Sequence, residues 1–315
     1  MHIPVLVDEV SEYLKVAEGR IFFDGTVGLG GHTAAILKAS SDNFVYGTDK
    51  DGEALKLAKN NLTDFTGRFQ FFNTDFKNFA SLPVEIDKID GFLFDLGVSS
   101  YQLDRPERGF SYSKPAPLDM RMDNKQELTA CEVINTYNYQ ALFTIFREYG
   151  EIKNPAKILD RIIFQRKNKK IEHSDELKTI IRKIYPRQKA MDPLSRVFQA
   201  LRIEVNRELE GLEDFFIKLF RNMKAGSRVV IISFHSLEDR IAKSALKKGE
   251  DEKVIKILTK KPLIAGQGEL AMNARSRSAK LRAGFAPGLS GSIVNDATQD
   301  TSQGTEITVK FKKSG

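Results

Sequence analysis

The sequence predicts an α/β protein, a doubly wound parallel sheet interrupted by an inserted all-helical segment, and three observations lead there. Between residues 20 and 95, short apolar runs alternate with helix-like stretches. Each of the four runs ends in an aspartate, Asp24, Asp49, Asp75 and Asp95, at intervals of 25, 26 and 20 residues. After Asp95 the rhythm stops, residues from about 105 to 205 carry no strand signal, and then it resumes.

The expected strands are Arg20–Asp24 (RIFFD), Phe44–Asp49 (FVYGTD), Arg68–Asp75 (RFQFFNTD) and Ile89–Asp95 (IDGFLFD). HTAAILKAS separates the first two, and GEALKLAKNNL the second and third, with Ala54, Leu55, Leu57, Ala58 and Leu62 forming a helical stripe. Strand, helix, strand at this spacing indicates a parallel sheet. The carboxyl ends of its strands form one rim, where ligands bind, so the four aspartates are candidate ligand contacts.

In the insertion, Asn154-Pro155 and Asp192-Pro193 each pair a capping side chain with proline at a first helical position. Ser174 precedes the acidic first turn Asp175-Glu176. The sheet pattern returns with a helix over Leu212–Lys224 closed by Gly226, a strand Arg228–Ser233 and an apolar run Val254–Leu258. Phe285–Gly304, rich in Gly, Ser, Thr, Asn and Asp, reads as a flexible tail, and Glu306–Phe311 as a candidate edge strand. The expected division is 1–105 with 206–284 as a discontinuous sheet domain, 106–205 as the helical insertion, and 285–315 as the tail.

The chain has 315 residues, 41% hydrophobic and 29% charged, enough to bury a core and too apolar for general disorder. No apolar run approaches the roughly 20 residues that cross a bilayer, and the start MHIPVLVDEV lacks a basic, then apolar, leader pattern. The single cysteine, Cys131, excludes an internal disulfide and a cysteine-rich zinc site. A soluble cytoplasmic protein is expected. The net charge of +7 is unevenly spread: residues 1–100 hold 9 basic and 15 acidic residues, leaving 40 and 27 for the rest. Segment 157–189 alone has 11 basic against 4 acidic residues. A polyanionic partner or a solubilising face would each account for it.

The first strand runs into Asp24-Gly25-Thr26-Val27-Gly28-Leu29-Gly30-Gly31-His32. Glycines there let a ligand approach the backbone, and the following helix offers unpaired N–H groups. Gly28-Leu29-Gly30-Gly31-His32-Thr33 lacks the last glycine of the dinucleotide fingerprint, which weakens a nicotinamide reading. An acidic residue followed by spaced glycines suits an S-adenosylmethionine loop, although Thr26 stands where the first glycine is commonest. Asp49, 19 residues beyond Gly30, is placed to accept from ribose hydroxyls, which both cofactors carry.

Beyond these generic features, HIPVLVDEV, DGTVGLGGH, DLGVSSYQLD, ERGFSY, PLDMRMD, FREYGEI, FQALRIEVN, SFHSLEDRI and NARSRSAKLR follow one another from His2 to Arg282. Together they closely resemble the ribosomal small-subunit RNA methyltransferase H family. The resemblance implies a Rossmann-like class I methyltransferase sheet with an inserted helical domain and S-adenosyl-L-methionine as cofactor. It implies methylation of a cytidine N4 amine in 16S rRNA within the small ribosomal subunit. By motif, it assigns cofactor contacts to Gly30, Gly31, His32, Asp49, Phe76, Asp95 and Gln102. No metal or membrane contact is expected, the histidines being dispersed. Two departures stand out: Asp192-Pro193-Leu194-Ser195-Arg196 replaces the family's His-Pro-Ala-Thr-Arg, and the tail is longer than usual.

Methylating an exocyclic amine calls for an acceptor that grips the N–H, because the nitrogen lone pair is delocalised into the ring. Asp95, starting Asp95-Leu96-Gly97-Val98-Ser99-Ser100 where other amino methyltransferases carry an acid and two prolines, is the candidate catalytic residue, with Ser99 and Ser100 nearby. The long loop Glu107–Asp123 brings Phe110 and Tyr112, which would stack on an unpaired base or pin the loop to the core. The tract 157–189 and Arg275–Arg282 are candidate phosphate contacts, and His235 a structural residue of the SFHSLEDR turn. A non-catalytic RNA-binding assembly factor on the same scaffold remains the alternative.

Overall fold

The computed structural model describes residues 4–186 and 192–288. His2, Arg187, Lys189 and the candidate strand Glu306–Phe311 lie outside them. The first half contains α1 (Val7–Leu14), β1 (Ile21–Asp24), α2 (Gly31–Ala39), β2 (Phe44–Asp49), α3 (Gly52–Asn61), β3 (Phe69–Asn73), β4 (Gly91–Asp95) and α4 (Ser100–Asp104). Helices α5 (Ala130–Thr136), α6 (Tyr139–Glu148), α7 (Ala156–Asn168), α8 (Ser174–Ile184) and α9 (Pro193–Asn206) follow without a strand. The chain closes with α10 (Leu212–Asn222), β5 (Arg228–Ser233), α11 (Ser236–Asp251), β6 (Lys256–Ile257), α12 (Gln267–Met272) and β7 (Lys280–Phe285).

The strands form one sheet in the order β3-β2-β1-β4-β5-β7-β6. β1 to β5 run parallel, and β7 is antiparallel to both β5 and β6. The order reverses between β1 and β4, which opens a crevice at their carboxyl ends. β4 (GFLFD) and β5 (RVVIIS) are nearly continuous apolar runs because both faces are covered. On one face Phe23, Phe92, Phe94 and Ile231 pack against Phe216, Phe220 and Leu246 of α10 and α11. On the other, Phe22, Leu93, Val230 and Ile232 pack against Val10 and Leu14 of α1 and Ile36 and Leu37 of α2. A third cluster belongs to the insertion: Phe146, Ile158, Leu177, Ile181, Phe198 and Leu201 draw α6 to α9 together, with Phe110 and Leu118 from the preceding loop.

The start signals behave as expected. Asp192 caps α9 through the Leu194 N–H (3.1 Å), with Pro193 in the first position. Asn154 accepts from the Ala156 N–H (3.2 Å). Ser174 begins α8, and its hydroxyl ties the preceding loop down, donating to Lys114 O and accepting from the Ala116 N–H.

Three expectations need correction. β3 ends at Asn73, and Asp75 instead caps a short 3-10 turn, Phe76–Ser81. The run Val254–Leu258 contributes only the two-residue β6. β7 falls where the sequence reading placed phosphate contacts and the start of a flexible tail. Arg282 is buried on it, 2.7 Å from Asp239, with Lys280 at 3.3 Å from the same carboxylate. Phe285 pairs with Arg228, and the next residue, Ala286, donates its N–H to Ser227 O.

Insertion and sheet meet at one buried guanidinium. Arg108 reaches Asp51 (2.9 Å) and Glu53 (3.1 Å) at the start of α3, and donates to the carbonyls of Arg121 and Met122 in the loop. Gly109 follows with φ +73°, and a Cβ there would stand 2.3 Å from Pro117 O, so the loop closes only around glycine. Removing one partner of a buried ion pair strands the other charge. Arg108→Ala should therefore destabilise the protein by about 3–5 kcal/mol, read as a lowered urea midpoint. A loss under about 1 kcal/mol, the range of a surface pair, would rank Arg108 with such pairs.

Candidate active site

The crevice opens into a cavity of about 2150 Å³, lined by the β1–α2 loop, the ends of β2 and β4, and residues of α9 and α11. A single small ligand occupies a pocket of roughly 300–1,000 Å³, so this one has room for two molecules.

The loop is held from below. Asp24 is buried, its carboxylate accepting from the Thr26 N–H (3.1 Å) and the Thr33 hydroxyl (2.7 Å); burial raises its pKa. It is absent from the cavity wall, so the expected rim of four carboxylates has three. Gly25 donates to Leu93 O on β4, and Val27 to Thr48 O on β2, which stretches the loop across three strands. Thr26, where a first glycine is commonest, accepts the backbone N–H of Asp95 at 2.6 Å. Gly30, with φ +83°, caps α2 and spends its N–H on Val27 O (2.7 Å), and Gly31 and His32, the first residues of that helix, line the cavity.

All seven residues assigned by motif line this cavity. Asp49 accepts from the Gly28 N–H (2.7 Å) on one oxygen and the Asp51 N–H (2.9 Å) on the other. Each oxygen keeps a lone pair for a donor such as a ribose hydroxyl. Burial pushes this carboxyl up to about 6; the two N–H groups oppose the rise, and the Asp51 and Asp24 charges add to it. Phe76 presents a half-buried ring packed against Phe94 (5.2 Å) and Phe215 (5.1 Å). Gln102 is spent largely inward: its amide donates to Asp51 and its carbonyl oxygen accepts from the Ser99 N–H, capping α4. His32 and Asp95 meet across the loop, Nε2 to Oδ2 at 3.7 Å. Both imidazole nitrogens and Asp95 Oδ1 are buried with no hydrogen-bond partner among the described residues. Unmet polar atoms of this kind belong where a polar ligand binds.

Asp75 pairs with Lys50 (2.8 Å) and Lys77 (3.6 Å), so its charge is largely answered within the chain. The far wall holds residues that sequence reasoning missed. Arg202 forms a two-pronged pair with Glu208 and approaches Glu238 at 3.7 Å. His235 caps α11, its Nε2 3.0 Å from Glu238, in the structural role expected of it. Burial works against the Glu238 charge, yet His235 and Arg202 hold the carboxyl below its ordinary range. Glu208, His235 and Glu238 are close enough to share an ion, but the Arg202 guanidinium already answers both carboxylates. Arg202 sits in FQALRIEVN, His235 and Glu238 in SFHSLEDRI, and Glu208 two residues beyond the first motif.

Several cations read as phosphate contacts have structural partners. Arg166 donates to Ile134 O, Lys169 pairs with Glu176, Arg182 with Asp192, and Arg275 with Asp104. Lys157, Arg161 and Lys167 remain on the exposed side of α7.

A parallel sheet reversed only at β7, with a glycine loop and a ribose-type carboxylate at its switch point, defines a class I methyltransferase using S-adenosylmethionine. The chain belongs to the MraW methylase family, whose model matches residues 1–284. It is 44% identical over 288 residues to ribosomal RNA small subunit methyltransferase H of a Sulfurihydrogenibium species, covering 90% of this chain and 98% of that one. The protein of that name from Caldicellulosiruptor saccharolyticus is 45% identical over 300 residues, covering 89% and 97%. Among solved structures, an rRNA methylase from Streptococcus thermophilus aligns over 91% of this chain and 99% of its own, with TM-score 0.41 and 12% identity. Among the described residues, no helix is long and apolar enough to cross a membrane.

The raised Asp49 pKa makes a pH test available. A carboxylate gripping ribose hydroxyls acts in its ionised form, so affinity should be full above about 6 and fall as pH drops through it. Calorimetry with S-adenosylhomocysteine should show roughly tenfold weaker binding at pH 5 than at pH 7. Asp49→Ala should cost about 1.5–3 kcal/mol at neutral pH and flatten the profile. A wild-type affinity constant across that range would remove the Asp49 charge from ribose binding.

Proposed function

We propose that the protein transfers the methyl group of S-adenosylmethionine to the N4 amine of a cytidine in 16S rRNA of the small ribosomal subunit. In this reading residues 1–105 and 206–284 hold the cofactor, and 106–205 recognise RNA. The observation that carries it is Asp95, at the end of β4 on the cavity wall, its backbone tied to Thr26 and its Oδ1 without a protein partner.

The bound cofactor supplies an electrophilic methyl group on sulfur. The chain supplies position and charge. Gly30 turns the loop with its own N–H spent on Val27 O, Gly31 offers a backbone N–H at the start of α2, Asp49 takes the ribose hydroxyls, and Phe76 adds an apolar surface. Asp95 accepts a hydrogen bond from the target amine, keeping the nitrogen in line with the methyl group. As the carbon–nitrogen bond forms and the sulfur–carbon bond breaks, positive charge passes to the nitrogen. The Asp95 carboxylate then stabilises the cationic amine and receives its proton.

Radiolabelled methyl transfer to small subunits from a strain lacking the enzyme, with nucleoside mapping, tests the reaction. Label in N4-methylcytidine supports it; subunit binding without label would favour a non-catalytic assembly role. Asp95→Asn keeps size and one hydrogen bond but loses the charge. Single-turnover rates at saturating cofactor and RNA should fall about a hundredfold or more, the cost of one preorganised electrostatic partner. If saturating cofactor restores the wild-type rate, Asp95 acts through cofactor binding alone.

A further inference from the structure

A second groove lies against the outer wall of the cavity, with a volume of about 480 Å³ and a lining that includes Tyr112, Lys114, Lys178, Arg182 and Lys183. Tyr112 lines both spaces. Its ring packs edge-on to Phe198 at 5.0 Å, and Phe198 faces the cavity. Its carbonyl, on the groove side, accepts from Lys178 Nζ at 3.0 Å. Tyr112 therefore borders both the reaction cavity and a basic groove.

The cations of that groove fall into two kinds. Lys178 and Arg182 are committed, to the Tyr112 carbonyl and to Asp192. Lys114 and Lys183 are exposed, and no ion pair or hydrogen bond among the described residues engages either ammonium. Among the described residues of the lining, Asp175 is the only carboxylate. Two uncommitted ammonium groups at one groove suit an anion, and the volume suits a single small group rather than a folded partner. A loop that merely solubilised the surface would have no reason to share a wall with the reaction cavity.

We propose that this groove seats the phosphodiester of the nucleotide next to the target base, so that the RNA strand bends over Tyr112 as the target enters the cavity. The inference rests on the RNA reading above and adds where the strand leaves the site. Lys114 and Lys183 take the phosphate oxygens, Lys178 holds the Tyr112 backbone in place, and the Tyr112 ring stands between the target and its neighbour.

The test is the full-length double variant Lys114→Ala/Lys183→Ala, probed with a single-stranded RNA carrying the target cytidine and with unmethylated small subunits. Among the described residues neither lysine has a structural partner, so the melting temperature should hold, as should the affinity for S-adenosylhomocysteine. The salt dependence of RNA binding should flatten by about 0.7 in slope for each lost contact. KM for RNA should rise severalfold with kcat unchanged. Lys183→Glu alone should raise KM at least as much, because it turns attraction into repulsion. A wild-type slope in the folded double variant overturns the groove while leaving the RNA reading intact. A wild-type protein that neither binds nor methylates either RNA overturns both.

Discussion

The structure turns on Asp51, a carboxylate buried at the junction of sheet and insertion. Its backbone N–H donates to Asp49, fixing the oxygen on which the ribose reading depends. One side-chain oxygen caps α3 through the Glu53 and Ala54 N–H groups. The other receives Gln102 from α4 and Arg108 from the loop that opens the insertion. One side chain thus ties the start of α3 to Gln102 and Arg108, some fifty residues further along the chain. Such a node is directional, so it fixes relative placement where an apolar contact would allow sliding, and its desolvation cost is met only while every partner is present. The cofactor end and the substrate end of the cavity therefore keep a common reference.

Much of this architecture was legible because parallel strands advertise themselves. β1, β2, β4 and β5 are compact apolar runs separated by helix-length spacers, and the strand-end aspartates mark the rim. What escaped did so for physical reasons. β7 opens with Lys280 and carries Arg282, so it read as a charge run. Its cations are answered by Asp239, some forty residues earlier in the chain and brought near only by folding. Asp24 looked like its three counterparts, but Thr33 lies one helical turn into α2 and draws the carboxylate under the loop. In the insertion, composition counted charge but not commitment. Arg166 and Arg182 look identical to Arg161 in sequence, yet each is bound to a neighbour, a carbonyl for one and a carboxylate for the other.

The site itself was half legible. The glycine loop, Asp49 and Asp95 follow from position alone, since the carboxyl ends of strands at a switch point face one crevice. Gln102 illustrates the limit: the motif places it at the cavity, and folding turns much of its polarity toward Asp51 and Ser99. The Arg202, Glu208, His235 and Glu238 wall illustrates the opposite limit. These residues come from the last turns of α9 and the segment just after it, and from the cap and first turn of α11, and only packing of the insertion against the sheet makes them neighbours. Gly97 adjoins the same wall: a Cβ there would lie 3.6 Å from Glu238 Oε1 and 4.0 Å from Arg202 Nη2. The loop after Asp95 thus runs between the candidate acceptor and a paired set of charges, which gives a polar base a fixed electrostatic frame.

Thr26 joins the two halves of that frame. A glycine in its place would serve the approach of a ligand but could offer no hydroxyl to the Asp95 N–H. With threonine, the loop that cradles the cofactor and the strand that presents the acceptor are bonded directly. A shift of the loop must move the acceptor with it. Methyl transfer depends on alignment between donor and acceptor, and displacement of about 1 Å costs rate steeply. What looked in the sequence like a departure from a glycine pattern is a bond between the glycine loop and the end of β4, and in the proposed mechanism that bond couples the cofactor loop to Asp95 where two prolines are missing.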